Sequence, residues 1–468
     1  MTAPRTEDPV AYEDFLASKV PLAVARGLSS VPALSSHLFG FQRHCVEFLL
    51  TAGSGGLFLD TGLGKTLVQL EYAEHARQAS NGMALILTPL AVAKQIEREA
   101  VKFGYDARVI RDQSEARDGI NICNYDRLHL IEPDAFGVVT LDEASILKSF
   151  GGKTSRALTE AFAGHRWRMP ATATPAPNDH MELGQYADFC GVMASNEMLS
   201  RFFINDTAQA SQQWRLKRHG VEAFWDWMAS WCRLAQLPSD LGGDDTGFML
   251  PPIRVERHRA AEAAPRIKGG LFGDEVVSAT NLHEIKRATI GKRASIAVDL
   301  AMADTDDPWV IWCDTDYEAD AILSSLYGVK GVVEVRGSMT PEKKEANLEA
   351  FADGSARVMV TKPSVAGFGL NWQHCAHTVF VGRSFSYESW YQAVRRFWRF
   401  GQKREVQVHL VVAEGEDSIA RVIDRKADDH DSMKLAMRAA MRRNAGRRSE
   451  IKVPYRPTHK GALPAWLS

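Results

Sequence analysis

The sequence has no apolar run approaching the ~18 residues that a bilayer-spanning helix needs, and its opening Met1-Thr2-Ala3-Pro4 lacks an apolar signal core. A soluble protein is expected. It also lacks a charge imbalance: 56 Lys and Arg stand against 58 Asp and Glu, a net charge of −2. Any contact with a polyanion must therefore come from local basic patches rather than a global field. The six cysteines, Cys45, Cys123, Cys190, Cys232, Cys313 and Cys375, show no paired spacing. That argues against a zinc module and a secreted disulfide framework, and for a reducing cytosol. No period of ~20 to 50 residues recurs, which excludes a solenoid.

What is present is length and alternation. At 468 residues the chain exceeds one ordinary core, and ~150 residues per domain suggests two to three domains. Residues 1–36 carry Pro4, Pro9, Pro21 and Pro32 and read as a leader. From 37 to 181, apolar runs such as Gly56 to Leu59, Ala84 to Leu87 and Val138 to Leu141 alternate with helical stretches such as Lys65 to Ala79. This is the pattern of an α/β fold with a parallel sheet. Over 182–250 strand signals fade, while Phe224, Trp227 and Trp231 recur at helical spacing. That stretch reads as a helical insertion whose tryptophans build a small core. A linker over 251–294 leads to a second α/β lobe over 295–430, with strands expected at Trp309 to Cys313, Gly331 to Val335, Arg357 to Thr361, Thr378 to Val381 and Val406 to Val412. Residues 431–468 form a basic tail that reads equally as a solvated segment or as one that follows nucleic-acid phosphates.

The chemistry concentrates at two places in the first lobe. Gly62-Leu63-Gly64-Lys65-Thr66 lies between an apolar strand and a helix, where backbone amides can cradle phosphate oxygens. Lys65 would neutralise the β/γ charge, and the Thr66 hydroxyl would hold Mg²⁺. Leu59 stands where the full phosphate-loop pattern has a glycine, so alone the segment reads equally as a strand-to-helix turn. The second place is Asp142-Glu143, two carboxylates ending the apolar run Val138 to Leu141. Asp142 can hold Mg²⁺ through water and Glu143 can polarise an attacking water. Gly151-Gly152-Lys153-Thr154 imitates a phosphate loop, but no apolar strand precedes it and it reads as a helix start. His374, Cys375 and His377 lack a second ligand cluster and read as structural.

Taken in order, the motifs resemble the SNF2-like ATPases of helicase superfamily 2 over about Leu38 to Asp424. Asp60 to Thr66 is similar to the family's D-E-M-G-L-G-K-T loop, which also lacks the early glycine. Leu38-Phe39-Gly40-Phe41-Gln42 resembles its adenine-reading segment, which gives Gln42 the base edge. Leu87-Thr88-Pro89-Leu90 and Asn124-Tyr125 resemble lobe-one segments that touch the tracking strand's phosphates. Asp142-Glu143-Ala144-Ser145 has Ser145 in place of the usual His, which weakens a lobe-bridging contact. Ala171-Thr172-Ala173-Thr174-Pro175, with Asn178, resembles the element coupling hydrolysis to lobe movement. Gly337 to Phe351 is similar to a second-lobe helix element, and Ala366 to Asn371 to the family's A-G-G-x-G-L-N loop, with Phe368 replacing a glycine. Gln392 to Gln402 is similar to Q-A-x-x-R-x-H-R-I-G-Q, with Trp398 where His is usual.

The resemblance implies two RecA-like lobes, with ATP and Mg²⁺ as cofactors. It assigns catalysis to Lys65, Asp142, Glu143, Arg396 and Arg399, and nucleotide contact to Gln42, Gly62, Gly64, Lys65, Thr66 and Gly369. It gives the metal to Thr66 and Asp142, nucleic acid to Thr88, Pro89, Asn124 and Asn371, and coupling to Thr172, Thr174 and Gln392. Arg396 and Arg399, three residues apart, are expected on one helix face aimed at the γ-phosphate. DNA, duplex rather than single strand or RNA, is the expected partner, and a bacterial or phage-infected cell the expected setting, near the nucleoid. A strand-separating helicase and a recruitment module with a vestigial ATPase are the alternatives.

Overall fold

The computed structural model describes residues 22–148, 152–176, 179–206, 213–260, 286–303, 306–366, 371–382, 386–413 and 431–443. Within these, short fully buried runs become strands because both of their faces meet apolar neighbours. β1 (Gly56–Leu59), β2 (Met83–Thr88), β3 (Ala107–Val109), β4 (Ile120–Asn124), β5 (Phe136–Asp142) and β6 (Trp167–Ala171) alternate with helices, and parallel pairing requires such crossovers. β7 (Phe203–Asp206) and β8 (Gln213–Leu216) pair antiparallel in a separate two-stranded sheet. β9 (Cys232–Ala235) then returns to pair with β1, which completes a seven-stranded parallel sheet of order β3-β4-β2-β5-β6-β1-β9.

The second lobe is a six-stranded parallel sheet of order β10-β15-β14-β11-β13-β12. Its strands are β10 (Ile253–Ala260), β11 (Trp309–Trp312), β12 (Val332–Val335), β13 (Val358–Thr361), β14 (His377–Phe380) and β15 (Val406–Ala413). Apolar clusters lie on both faces, one around Trp309, Ile311 and Ile322, the other around Trp312, Trp372 and Phe397. The chain is thus α/β, with two lobes each built on a parallel sheet.

Three stretches differ from their sequence reading. The stretch 182–250 contains helices, among them Val221–Trp231, whose Trp227 and Trp231 are buried, but it also supplies β9 to the main sheet. β10 lies in the expected linker and pairs with β15 over eight residues from Ile253↔Val406 to Ala260↔Ala413. Residues 431–443 of the basic tail form a helix on lobe one, where Met433, Met437, Ala440 and Met441 join the core. Its cations are satisfied by protein carboxylates, Arg438 and Arg442 by Asp240 at 2.6 and 3.1 Å and Arg443 by Asp226 at 3.1 Å. Among the described residues no helix is long and apolar enough to cross a membrane. All six cysteines are buried and unbridged.

Candidate active site between the lobes

β1 ends at Leu59, and the chain turns through Asp60 to Gly64 before the helix Lys65–Ser80 begins. Gly62 (φ 92°) and Gly64 (φ 74°) adopt conformations that disfavour a side chain. Space forbids one as well. A Cβ on Gly62 would lie 2.7 Å from the Phe400 backbone nitrogen, and one on Gly64 would lie 2.2 Å from the Gln42 amide nitrogen. Gln42 is buried and braces the loop: its Nε2 donates to the Leu63 carbonyl at 2.9 Å, and its Oε1 accepts from the Phe39 amide at 2.9 Å. Lys65 Nζ donates back to the Leu59 carbonyl at 3.0 Å. Burial pulls the Lys65 ammonium below its ordinary range, while Glu143, Asp60 and Asp142 oppose that shift. Thr66 follows in the first turn of the same helix.

The acids arrive from β5, two strands from β1 in the sheet, so both motifs meet at the carboxyl ends of the strands. Asp142 is buried, and desolvation, reinforced by neighbouring Glu143, pushes its carboxyl up to about 7. Lys65 and a hydrogen bond from Thr88 Oγ1 at 3.2 Å act in the opposite direction. Tyr125 OH donates to the Asp142 carbonyl at 2.7 Å and fixes the strand end. Glu143 has φ 49°, a left-handed conformation rare for a side chain of its size, so the chain departs sharply from the strand at the acid itself.

Lobe two closes on this loop. Its helix Tyr387–Val394 stops before the arginines, and Arg396 and Arg399 lie on the turn that follows, not on a helix face as expected. Packing sets the turn: Phe397 is fully buried against Trp312 and Trp372, and the Arg396 carbonyl accepts from the Trp372 amide at 3.0 Å. Burial lowers the Arg396 guanidinium to about 10, still cationic at neutral pH, and the Glu143 and Asp142 carboxylates draw it back up. Burial also lowers Arg399, against the pull of Glu99 and then Glu143. Glu143 therefore lies within the electrostatic reach of Lys65 from one lobe and of both arginines from the other.

Two contacts hold the lobes in this relation. Asp60 accepts from Tyr391 OH at 2.7 Å, pairs with the Arg395 guanidinium, and meets Lys434 Nζ at 3.3 Å. All four residues are buried, and the cations hold the Asp60 carboxyl well below the carboxylate range despite its burial. Three residues after Ser145, Lys148 pairs with Glu388, which also accepts from the Gln392 amide at 3.4 Å. A lysine thus bridges the lobes in the segment where the resemblance led one to expect a weakened contact. Trp398 donates from Nε1 to the Pro251 carbonyl at 2.7 Å, and its ring lies 4.7 Å from the Arg395 guanidinium.

Residues 292–401 match the helicase conserved C-terminal domain family. Over 465 residues the chain is 19% identical to the Bacillus subtilis (strain 168) protein described as "Putative ATP-dependent helicase/translocase YwqA", a match covering 86% of this chain and 49% of that protein. The family match thus lies within lobe two and includes the turn that carries Arg396 and Arg399. The chain spans about half the length of that curated relative. Among solved structures, the Sulfolobus solfataricus SWI2/SNF2 ATPase core in complex with dsDNA aligns with a TM-score of 0.40 at 17% identity, covering 87% of this chain and 95% of that one.

The remaining expected residues divide by exposure. Thr88 is fully buried with its hydroxyl committed to Asp142, so it cannot reach a DNA phosphate; it braces the acid instead. Asn124 is also buried and accepts from the Arg127 amide at 3.1 Å as the cap of a short helical turn. Pro89 is part-exposed and Asn371 exposed, so both remain available to a ligand. Thr172 and Thr174 are buried after β6, where the Thr172 hydroxyl accepts from the Thr174 amide at 3.2 Å. Gln392 is buried with its Oε1 unbonded. Gly369, Phe368 and Asn178 lie outside the described residues. Sequence reasoning missed Tyr391, Arg395 and Lys434; their signal lay in the acid of Asp60, which needs buried cations if it is itself to be buried.

Proposed function

We propose that this protein is a DNA-dependent ATPase that hydrolyses ATP to ADP and phosphate and uses lobe closure to move along duplex DNA. The observation that supports it best is the closure of lobe two on the phosphate loop: Gly62 lies against the Phe400 backbone, next to Arg399, and Asp60 at the start of the loop pairs with Arg395 and Tyr391.

The residues present suit Mg²⁺–ATP. The glycine loop leads into the N-terminus of the helix Lys65–Ser80, a favourable seat for phosphate. The Thr66 hydroxyl and the Asp142 carboxylate are hard oxygen donors of the kind Mg²⁺ takes. Held there, Mg²⁺ would offset the charge of the phosphates. Lys65 would exchange the Leu59 carbonyl for the phosphates, and Gln42, whose amide now braces the loop, is the residue we assign to the base edge. Glu143 orients a water for attack on the γ-phosphorus; the bond to the ADP oxygen breaks, and the water's proton passes through Glu143 to solvent. Arg396 and Arg399 balance the charge on the transferring group. Release of phosphate removes what those arginines grip, and the lobes part. Thr172, Thr174 and Gln392, the last bonded through Glu388 to Lys148, carry that change between lobes. Pro89 and Asn371 are the residues we assign to the DNA backbone.

The test is ATP hydrolysis measured with linear duplex, single strands and RNA, together with triplex displacement and gel-based unwinding. The proposal expects duplex to stimulate hydrolysis most, third strands to be displaced, and Lys65→Ala to abolish both. Stimulation by single strands alone with true unwinding would replace translocation with helicase activity, and stimulation that survives Lys65→Ala would end the proposal.

A further inference from the structure

β10 is an unusual edge strand. Its sequence, Ile-Arg-Val-Glu-Arg-His-Arg-Ala, buries only Ala260 fully, so apolar packing gives it little reason to stay on the lobe-two sheet. Register nevertheless brings three metal-type donors to one place on it. Glu256 pairs directly with His409 of β15, and His258, two residues on, shares Glu256's face of the sheet.

We propose that Glu256, His258 and His409 form a divalent transition-metal site suited to zinc, which pins β10 to the lobe-two sheet away from the ATP cleft. The donors are already close to the right separations. His258 Nε2 lies 2.9 Å from His409 Nδ1, His409 Nδ1 lies 3.6 Å from Glu256 Oε2, and His258 Nε2 lies 4.0 Å from that oxygen. Ligand bonds of about 2.0 to 2.2 Å in a tetrahedral zinc site place donors roughly 3.3 to 3.6 Å apart, so one edge already fits and the other two need shift by about half an ångström. All three donor atoms lie within 4.8 Å of one another.

The surroundings orient the donors. Arg254 takes the other carboxylate oxygen, Glu256 Oε1, at 2.7 Å and leaves Oε2 for the histidines. The Trp309 ring stacks on His409, with centroids 5.6 Å apart. His409 is buried while Glu256 and His258 are half-exposed, so the fourth position of a tetrahedron faces solvent and takes a water. Without metal, the 2.9 Å contact between the two imidazoles shares one proton, which metal binding would replace.

The test uses the tag-free full chain stripped with chelator and titrated with Co²⁺ alone and then Zn²⁺. One equivalent of Co²⁺ should give the visible absorption of a low-symmetry nitrogen-and-oxygen site, Zn²⁺ should quench it, and Zn²⁺ should raise the melting temperature. His258→Gln and Glu256→Gln, both at half-exposed positions, should each weaken binding about tenfold or more and remove the thermal gain, with their metal-free melting close to the parent's. A Lys65→Ala chain, altered only in the phosphate loop, should keep the Co²⁺ spectrum. No stoichiometric binding, or a spectrum untouched by both β10 substitutions, would overturn the site and leave a hydrogen-bonded histidine pair. Neither result bears on ATP hydrolysis, so this inference stands or falls separately from the proposed function.

Discussion

The two halves of the cleft reach the same place by different physics. In lobe one the chemistry sits at the ends of strands: the loop after β1 and the acids after β5 are held by a sheet whose order is fixed by fully buried apolar runs. In lobe two the arginines sit on a turn beyond the helix Tyr387–Val394, held by Phe397 in the core and by the Trp372 amide. The first half is scaffold-positioned and local. The second depends on packing across the interface, through Asp60, Tyr391, Arg395 and Lys434. Substitutions in lobe one should therefore act on nucleotide chemistry directly, and substitutions in lobe two on whether the site is complete.

The largest expected effect is on that completeness. Arg396→Ala should lower the DNA-stimulated turnover of ATP by about 10³-fold or more, as loss of a charge-stabilising arginine does, with nucleotide affinity changed far less. Steady-state hydrolysis with saturating ATP checks this. Next, Glu143→Gln should cost about 10² to 10⁴ in turnover while leaving ATP binding intact, since it removes the proton acceptor but not the cradle; a loss of binding instead would make Glu143 a structural acid.

The interface comes third. Asp60→Ala leaves Arg395 and Lys434 buried without their carboxylate, and breaking such a cluster costs about 3 to 5 kcal/mol, readable by urea unfolding. The Asp60 carboxyl is depressed in the folded chain, so its contribution is present above the ordinary carboxylate pKa and is lost as pH falls toward the folded value. Asp142 behaves oppositely. Raised to about 7, it holds a proton in the folded state between about pH 4 and 7 that the unfolded chain has released, so stability falls as pH rises through that window. Asp142→Asn should flatten that part of the stability profile, as measured by melting between pH 5 and 8; an unchanged slope would assign the titration elsewhere.

Much of this was legible in the sequence where apolarity and chemistry coincide. β1, β2 and β5 are predominantly apolar runs, and the motif residues lie at or just past their ends. β9 was not legible because Arg233 interrupts it. That arginine is nevertheless buried, satisfied by the Ala229 and Cys232 carbonyls and lying 3.3 Å from the Phe48 ring centroid. β10 was missed because an edge strand tolerates charge at alternate positions that reads as linker. The helix over 431–443 hid behind its arginines, although Met433, Met437 and Met441 at four-residue spacing mark an apolar face. Thr88 misled because a hydroxyl at a strand end serves a buried acid as well as a phosphate, and only burial separates the two roles.

The central claim is that one active site is assembled from both lobes, and binding measured beside single-turnover hydrolysis tests it most directly. With ATP, Mg²⁺ and duplex DNA, the account predicts that Lys65→Ala loses nucleotide binding and hydrolysis together, whereas the Arg396→Ala, Arg399→Ala double variant binds ATP and fails to hydrolyse it. Hydrolysis at the parent rate by the double variant, or loss of binding as complete as in Lys65→Ala, would contradict it.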